Sequence, residues 1–258
     1  MQFRFGFVKV AAVLCAASAF ANQAEWRYVA PGIFRGISGA AIESREDGKF
    51  TFLVVFDNKK KGDDTKKPES LSRAGLLTVT RDGWPVLHPL DWKETEEMPR
   101  PSDLECLSTI PGRTGQYMAM TSKGDAYRIS IDKPASTVVV HEMFKMPNLT
   151  KNSEAEGLSL QELDGEIVAI YGDRGNSPTA GTLFFTTLDR TTLKPKSDVK
   201  SVSIRAPWPD IELTRAISDL KLDASGALFV TWAWETDDDN GPFSSGLTCE
   251  GTLVREPL

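Results

Sequence analysis

The chain has 258 residues, of which 40% are hydrophobic and 26% charged, and its formal net charge is -6 at pH 7. This acidic balance argues against nucleic acid or an anionic membrane surface as the main partner, because both reward basic patches. The length fits one all-β domain, since β-sandwiches and barrels often reach ~200–250 residues undivided.

The first residues have the pattern of a secretory signal peptide. Arg4 and Lys9 supply positive charge, and an apolar run follows over Val10–Phe20. Ala19-Phe20-Ala21 then places small residues at the two positions that a signal peptidase reads. The apolar run is shorter than the ~20 residues that a membrane-spanning helix needs. We therefore predict a leader over residues 1–21, a single domain over residues 22–258 that does not insert into a membrane, and a periplasmic or secreted location.

Three cysteines are present, and one of them lies in the predicted leader. That residue, Cys15, follows a bulky Leu14 where a lipoprotein signal has a small residue, so lipidation is disfavoured. Cys106 and Cys249 remain, and an even number in an oxidising compartment permits one disulfide. The alternative is two buried thiols that act as small apolar side chains.

Beyond the leader, the sequence predicts strands and turns. Short runs rich in Val, Ile, Leu, Phe, Thr and Tyr end at Gly, Asp, Asn or Pro, and helical periodicity is nearly absent. A four-residue tag recurs, each time followed by a second apolar strand. The tags are Ile37–Ala40, Leu104–Leu107, Ala155–Leu158 and Ile217–Leu220. The second strands are Phe50–Phe56, Gln116–Met120, Glu166–Tyr171 and Ala227–Trp234.

Each tag opens a unit with room for four strands. Repeated four-stranded antiparallel units are typical of a β-propeller, so we predict a small all-β propeller of four four-stranded blades. The last unit is one strand short, and Trp26–Phe34 would close the ring as its outer strand and remove an exposed edge. Asn58–Pro101 is long enough to hold a fifth blade, and a β-sandwich is the main alternative fold.

The tags also align acidic residues. Glu105, Glu156 and Asp219 occupy matching positions in three successive units, and Ser38 occupies the fourth. If each tag begins the innermost strand of its blade, these side chains converge on the central channel. Converging carboxylates repel one another and need shared protons or a cation. Calcium suits such a site because it accepts 6–8 oxygen ligands in irregular geometry.

Further polar residues end the second strands. Asp57 and Asp173 could add metal-binding oxygens, although acidic residues at strand ends frequently cap turns. Arg174 is a candidate for binding a substrate phosphate or carboxylate, or the partner of Asp173.

Other candidate motifs are weaker. His88 and His141 lie on predicted outer strands in a chain without a Gly-x-Ser-x-Gly elbow, which favours structural roles. Asp237–Gly241 forms an acidic loop but lacks the first and last carboxylates of an EF-hand. Trp232 and Trp234 share one face of their strand, where packing between blades is the ordinary explanation.

Several of these motifs resemble one known group. Ile37-Ser38-Gly39, Asp103-Leu104-Glu105, Glu156-Gly157-Leu158 and Gly172-Asp173-Arg174-Gly175 are similar to the phytase-like ("esterase-like activity of phytase") β-propeller family. The resemblance implies an exported bacterial propeller that hydrolyses phosphoester or ester bonds. The chain lacks the extended acidic calcium motif and the dense basic pocket of true β-propeller phytases.

Two functional hypotheses follow. The first is a calcium-dependent hydrolase of phosphoesters or esters, with the metal held by channel carboxylates. The second is a propeller that binds a small molecule or a protein without catalysis. The absence of a complete catalytic motif favours the second hypothesis, and the family resemblance favours the first.

Overall fold

Strands make up all the regular secondary structure that is described for this chain. The computed structural model describes residues 3–6, 29, 36–58, 72–174, 180–196, 198–207, 214–234 and 244–255. Within these ranges there is no helix with the length and hydropathy needed to cross a membrane.

The strands form four antiparallel four-stranded sheets, and the first two are joined into one eight-stranded sheet by a short parallel pairing of their outer strands, Asp91 with Thr137 and Trp92 with Val138. The first sheet contains β2 (Ile37–Glu46), β3 (Lys49–Phe56), β4 (Ala74–Thr80) and β5 (Val86–Trp92). The second contains β6 (Leu104–Thr109), β7 (Gln116–Thr121), β8 (Asp125–Asp132) and β9 (Thr137–Lys145). The third contains β10 (Ala155–Leu163), β11 (Glu166–Asp173), β12 (Gly181–Leu188) and β13 (Lys200–Ile204). The fourth contains β14 (Thr214–Leu222), β15 (Ala227–Trp234), β16 (Ser244–Arg255) and β1 (Phe3–Gly6).

These sheets are the four blades that the tags predict. The first strand of each blade packs beside the first strand of the next, in the order β2, β6, β10, β14. The four tagged strands are therefore the inner strands, and the prediction of an all-β propeller is confirmed. The prediction that Asn58–Pro101 could hold a fifth blade is wrong, because β4 and β5 lie there and complete the first blade.

The outer strand of the fourth blade comes from the N-terminus, as predicted, but from a different segment. Phe3–Gly6 pairs antiparallel with β16, from Phe3 opposite Arg255 to Gly6 opposite Thr252. The segment we predicted for this position, Trp26–Phe34, lies outside the described residues except for Val29, which is not in a strand. Phe3–Gly6 lies inside the predicted leader, so cleavage after Ala21 would remove this strand from the mature chain. The signal peptide and its cleavage stay predictions.

Consecutive blades bury a separate hydrophobic core at each of three interfaces, between blades one and two, two and three, and three and four. Large fully buried side chains at these interfaces include Leu53 and Leu107 between blades one and two, Met118 and Leu158 between blades two and three, and Trp232 between blades three and four. Burial of Trp232 agrees with the predicted packing role. Its indole Nε1 also donates to Thr248 Oγ1 at 2.6 Å, which satisfies the buried N–H.

The inner strands approach so closely that their backbones are in contact. A Cβ atom placed on Gly39 would lie 2.9 Å from Leu107 N, and one on Gly157 would lie 2.5 Å from Leu220 N. Two buried serines join the same strands, because Ser108 Oγ and Ser159 Oγ accept the amide N–H groups of Leu160 and Leu222, each at 2.9 Å. Neighbouring blades are therefore fixed in register at the channel.

We predict that Gly157→Ala destabilises the protein far more than Gly165→Ala. Both glycines have left-handed φ angles, +77° and +78°, but a Cβ at Gly165 meets nothing within 4 Å. Backbone strain alone costs about 1–2 kcal/mol, and overpacking adds about 1–3 kcal/mol at Gly157. Urea unfolding of the two variants measures the difference, and equal losses would contradict the close approach of β10 and β14.

Candidate functional site

Each inner strand is irregular at its tag. The pairing register shifts between Ile37 and Gly39 in β2, between Leu104 and Cys106 in β6, between Glu156 and Leu158 in β10, and between Arg215 and Asp219 in β14. Such β-bulges release a residue from the ladder and redirect side chains, and they are common beside functional sites. The bulges explain how Ser38 and Glu105 leave the sheet pattern and meet at the channel.

Glu105 lies at the centre of an acidic cluster. The pKa of its carboxyl is raised to about 9, first by burial and then by the neighbouring charges of Glu156 and Asp103. A hydrogen bond with Ser38 partly opposes this increase, and a hydrogen bond with Asp103 reinforces it. Glu105 is therefore protonated at neutral pH and can donate a proton.

Asp103 is a member of this cluster that the sequence analysis did not select as a site residue. It precedes β6 with a φ of +65°, a conformation that few residues other than glycine adopt. Its Oδ2 accepts a hydrogen bond from the hydroxyl of Ser122, and its amide N–H donates to Asn58 O at 3.2 Å. The left-handed turn thus ties blade one to blade two and directs the Asp103 carboxylate toward Glu105.

Glu156 has an arginine as its partner. Arg174 Nη1 lies 2.8 Å from Glu156 Oε1, and Arg174 Nη2 lies 3.4 Å from Glu154 Oε2. The Glu156 side chain is only 10% exposed and that of Arg174 is 22% exposed, so the pair is largely shielded from solvent. Arg174, which we predicted either as a substrate-binding residue or as the partner of Asp173, thus forms ion pairs with two glutamates.

Asp219 has a lysine as its partner. Lys221 Nζ lies 3.2 Å from Asp219 Oδ1 and also donates to the main-chain oxygens of Leu107 and Leu158. The position of Lys221 could have been predicted from its spacing to Asp219. Residues two apart on a strand face the same side, so the channel position of Asp219 implies one for Lys221.

The remaining acidic candidates lie at the ends of second strands. Asp173 ends β11, and its Oδ1 accepts the amide N–H of Glu154 at 3.3 Å, which is a capping role. Asp57 follows β3 at the matching place in the first blade. The acidic loop Asp237–Gly241 lies outside the described residues.

The channel carboxyl groups have partners within the protein. In the described part of the chain, no group of three or more His, Cys, Asp and Glu side chains is arranged to hold a metal ion. Glu105 carries a proton, and Glu156 and Asp219 are each paired with a basic side chain. Basic side chains thus balance part of the charge that we expected calcium to balance. We derive no step through a metal, and the calcium site stays a prediction.

The disulfide that the sequence permits is absent, because Cys106 and Cys249 are both free thiols. Cys106 is fully buried between blades two and three, with its Sγ 3.8 Å from Ala155 O. Cys249 is exposed on β16 of the fourth blade. Burial raises the pKa of the Cys106 thiol, with Glu156 the next largest cause, so this residue acts as a small apolar side chain.

Both histidines are on outer strands, as predicted. His88 is exposed on β5. His141 is exposed on β9, and its Nε2 lies 2.8 Å from Ser130 Oγ. Partial desolvation of the ring lowers its pKa. Neither belongs to the channel cluster described above.

Comparison with known proteins places the chain near solved propeller structures without giving it a family. No protein family and no curated protein matches it. An arabinanase from Bacillus subtilis is 12% identical, with 84% of this chain and 79% of that chain covered and a TM-score of 0.41. An α-L-arabinofuranosidase from Clostridium thermocellum is 8% identical, covers 84% and 70%, and has a TM-score of 0.48. The SapL1 lectin, solved with α-methyl fucoside, is 11% identical, covers 83% and 62%, and has a TM-score of 0.34.

These matches include two enzymes and a lectin, at low identity and with TM-scores below 0.5. They assign no activity to this chain, and they add no support to a phytase-like family.

We predict that Glu105 makes the protein less stable as pH rises from about 5 toward 9. The folded state keeps the proton on Glu105 up to its pKa of about 9, whereas the unfolded chain releases it near ~4.3. In that window the folded state binds more protons, so the free energy of unfolding falls with increasing pH. Urea unfolding across this range should show a flatter profile for Glu105→Gln than for the native protein. Glu162→Gln, an exposed position on β10, should keep the native profile, and an unchanged profile for Glu105→Gln would contradict the assignment.

Proposed function

We propose that this protein is a metal-independent hydrolase that cleaves neutral glycosides with the carboxyl groups of Glu105 and Glu156. The observation that carries the proposal is that these two glutamates lie on adjacent inner strands and have partners of different chemistry. Glu105 shares hydrogen bonds with Ser38 and Asp103, whereas Glu156 is paired with Arg174 at 2.8 Å.

Two neighbouring carboxyl groups in different charge states supply both halves of acid–base hydrolysis. Glu105 transfers its proton to the leaving glycosidic oxygen as the bond from that oxygen to the anomeric carbon breaks. Glu156 removes a proton from the water whose oxygen forms the new bond to the same carbon. The products are an alcohol and a hemiacetal, and a proton then returns from Glu156 to Glu105.

The charge of the cluster favours a neutral substrate over a phosphoester. The basic side chains near the channel are already engaged with carboxylates, as in the contacts of Lys123 with Glu154 at 2.6 Å and of Lys221 with Asp219 at 3.2 Å. A phosphate group would approach several carboxylates of its own sign, which is unfavourable. The phosphoester substrate that the family resemblance implies is therefore not the one we propose.

A second candidate function is binding of a small molecule or a protein without catalysis. It is favoured by the internal pairing of the acidic side chains, since Glu156 and Asp219 have basic partners as they do in structural networks.

The experiment is a comparison of leaving groups. We expect the native protein to hydrolyse both p-nitrophenyl glycosides and unactivated oligosaccharides, with no loss on addition of a chelator. Glu105→Gln should lose about 10²–10⁴-fold on oligosaccharides, whose alkoxide leaving group needs a proton, and much less on p-nitrophenyl glycosides. Glu156→Gln should lose activity on both, because water activation is common to the two reactions.

Glu162→Gln is the matched control on β10 and should retain native rates. Failure to hydrolyse any neutral glycoside, while the same preparation binds saccharides or proteins in calorimetry, would support the binding function instead. Activity lost to a chelator would contradict the metal-independent mechanism.

A further inference from the structure

One ammonium group in the central channel, that of Lys221, contacts three blades. Lys221 Nζ lies 3.1 Å from Leu107 O of blade two, 3.1 Å from Leu158 O of blade three, and 3.2 Å from Asp219 Oδ1 of its own blade. A lysine ammonium has three N–H donors, and each of these contacts can take one of them. The group is therefore bound by oxygens from three separate strands.

The three acceptors follow from the same register that aligns the acidic residues. Leu107 and Leu158 lie two residues after Glu105 and Glu156, just as Lys221 lies two residues after Asp219. The side chains of Leu107 and Leu158 are buried in the cores between blades, while their carbonyl groups meet the Lys221 ammonium. Two carbonyl oxygens and one carboxylate oxygen are the ligand types that hard cations select.

We propose that the Lys221 ammonium is a built-in cation of the central channel, and that removing its side chain leaves a site for ammonium or a monovalent metal ion. The ammonium draws together the carbonyls of two blades and balances the charge of Asp219. Without the ammonium, the two carbonyl oxygens and the Asp219 carboxylate would face one another with negative charge of the same sign. The covalent cation makes the site independent of the ions in the surrounding solution.

This inference concerns the assembly of the channel, and it does not depend on the proposed hydrolysis. Lys221 is a positioning residue here, because it acts on the strands and on Asp219 and not on a substrate. Its readouts are therefore thermal stability and the reactivity of the amine, both of which are measurable without any substrate.

The first experiment is chemical rescue of Lys221→Ala, with the thermal unfolding midpoint (Tm) as the readout. We expect a lower Tm than that of the native protein, and recovery of most of the loss on adding ammonium, methylammonium or potassium chloride. Recovery should grow with the logarithm of the cation concentration, as for a ligand that binds only the folded state. Lys49→Ala is the control, since Lys49 has a similar exposure and makes an ion pair at 3.5 Å with Glu46. Its Tm should respond to these salts as the native protein does.

The second experiment uses the native chain, so that it remains decisive if Lys221→Ala does not fold. Brief acetylation followed by mass spectrometry should modify Lys221 several times more slowly than Lys49, although their side chains are 42% and 45% exposed. Slow acetylation, together with cation rescue if Lys221→Ala folds, supports an ammonium held by three oxygens. Equal acetylation rates, or a folded Lys221→Ala variant that no cation stabilises beyond the control, would overturn the proposal.

Discussion

The backbone contact between neighbouring inner strands determines where every group of the candidate site lies. At Gly39 and Gly157 the next blade leaves no space for a side chain, and a Cβ atom would lie within 3 Å of a main-chain nitrogen. Ser108 and Ser159 then fix the register by accepting amide N–H groups across the interfaces between blades two and three and between blades three and four. Replacing either serine with alanine would leave a buried backbone N–H group without an acceptor, at a cost of about 1–3 kcal/mol. The hydrophobic cores hold blades together, but these polar contacts decide their alignment.

The same alignment creates an electrostatic problem, because it brings together three acidic side chains. The protein balances them in three different ways. Glu105 keeps a proton, Glu156 is paired with Arg174, and Asp219 is paired with Lys221. Only the proton can leave the site during a reaction, whereas the two basic side chains are covalently fixed. This asymmetry distinguishes Glu105 as the proton donor of the proposed reaction.

The sequence predicted the repeated parts of the fold well, because strand period and turn residues are local signals. The second strand of each blade begins and ends within a few residues of its predicted limits. The alignment of Glu105, Glu156 and Asp219 could also be predicted, since it needs only the repeat and the inner position of the tags. Ring closure by Phe3–Gly6 could not, because pairing between the two ends of a chain leaves no periodic signal.

The errors at the site arise from long-range contacts. Cys106 and Cys249 looked compatible with a disulfide because the sequence gives their number and not their separation, and the fold places them on different blades. The ion pairs of Glu156 and Asp219 could not be predicted from the tags either, because their partners Arg174 and Lys221 lie outside the tag positions. The β-bulges that redirect Ser38 and Glu105 also depend on strand pairing and have no pattern of their own in the sequence.

The most direct test of this account is a nuclear Overhauser measurement on isotope-labelled protein. The close approach of the inner strands predicts cross-peaks from Gly39 Hα to the Leu107 amide and from Gly157 Hα to the Leu220 amide, across the interfaces between blades one and two and between blades three and four. Observation of both would establish the register that brings the acidic side chains together at the channel. Cross-peaks to residues shifted along β6 or β14, or none between these strands, would contradict the register and the candidate site with it.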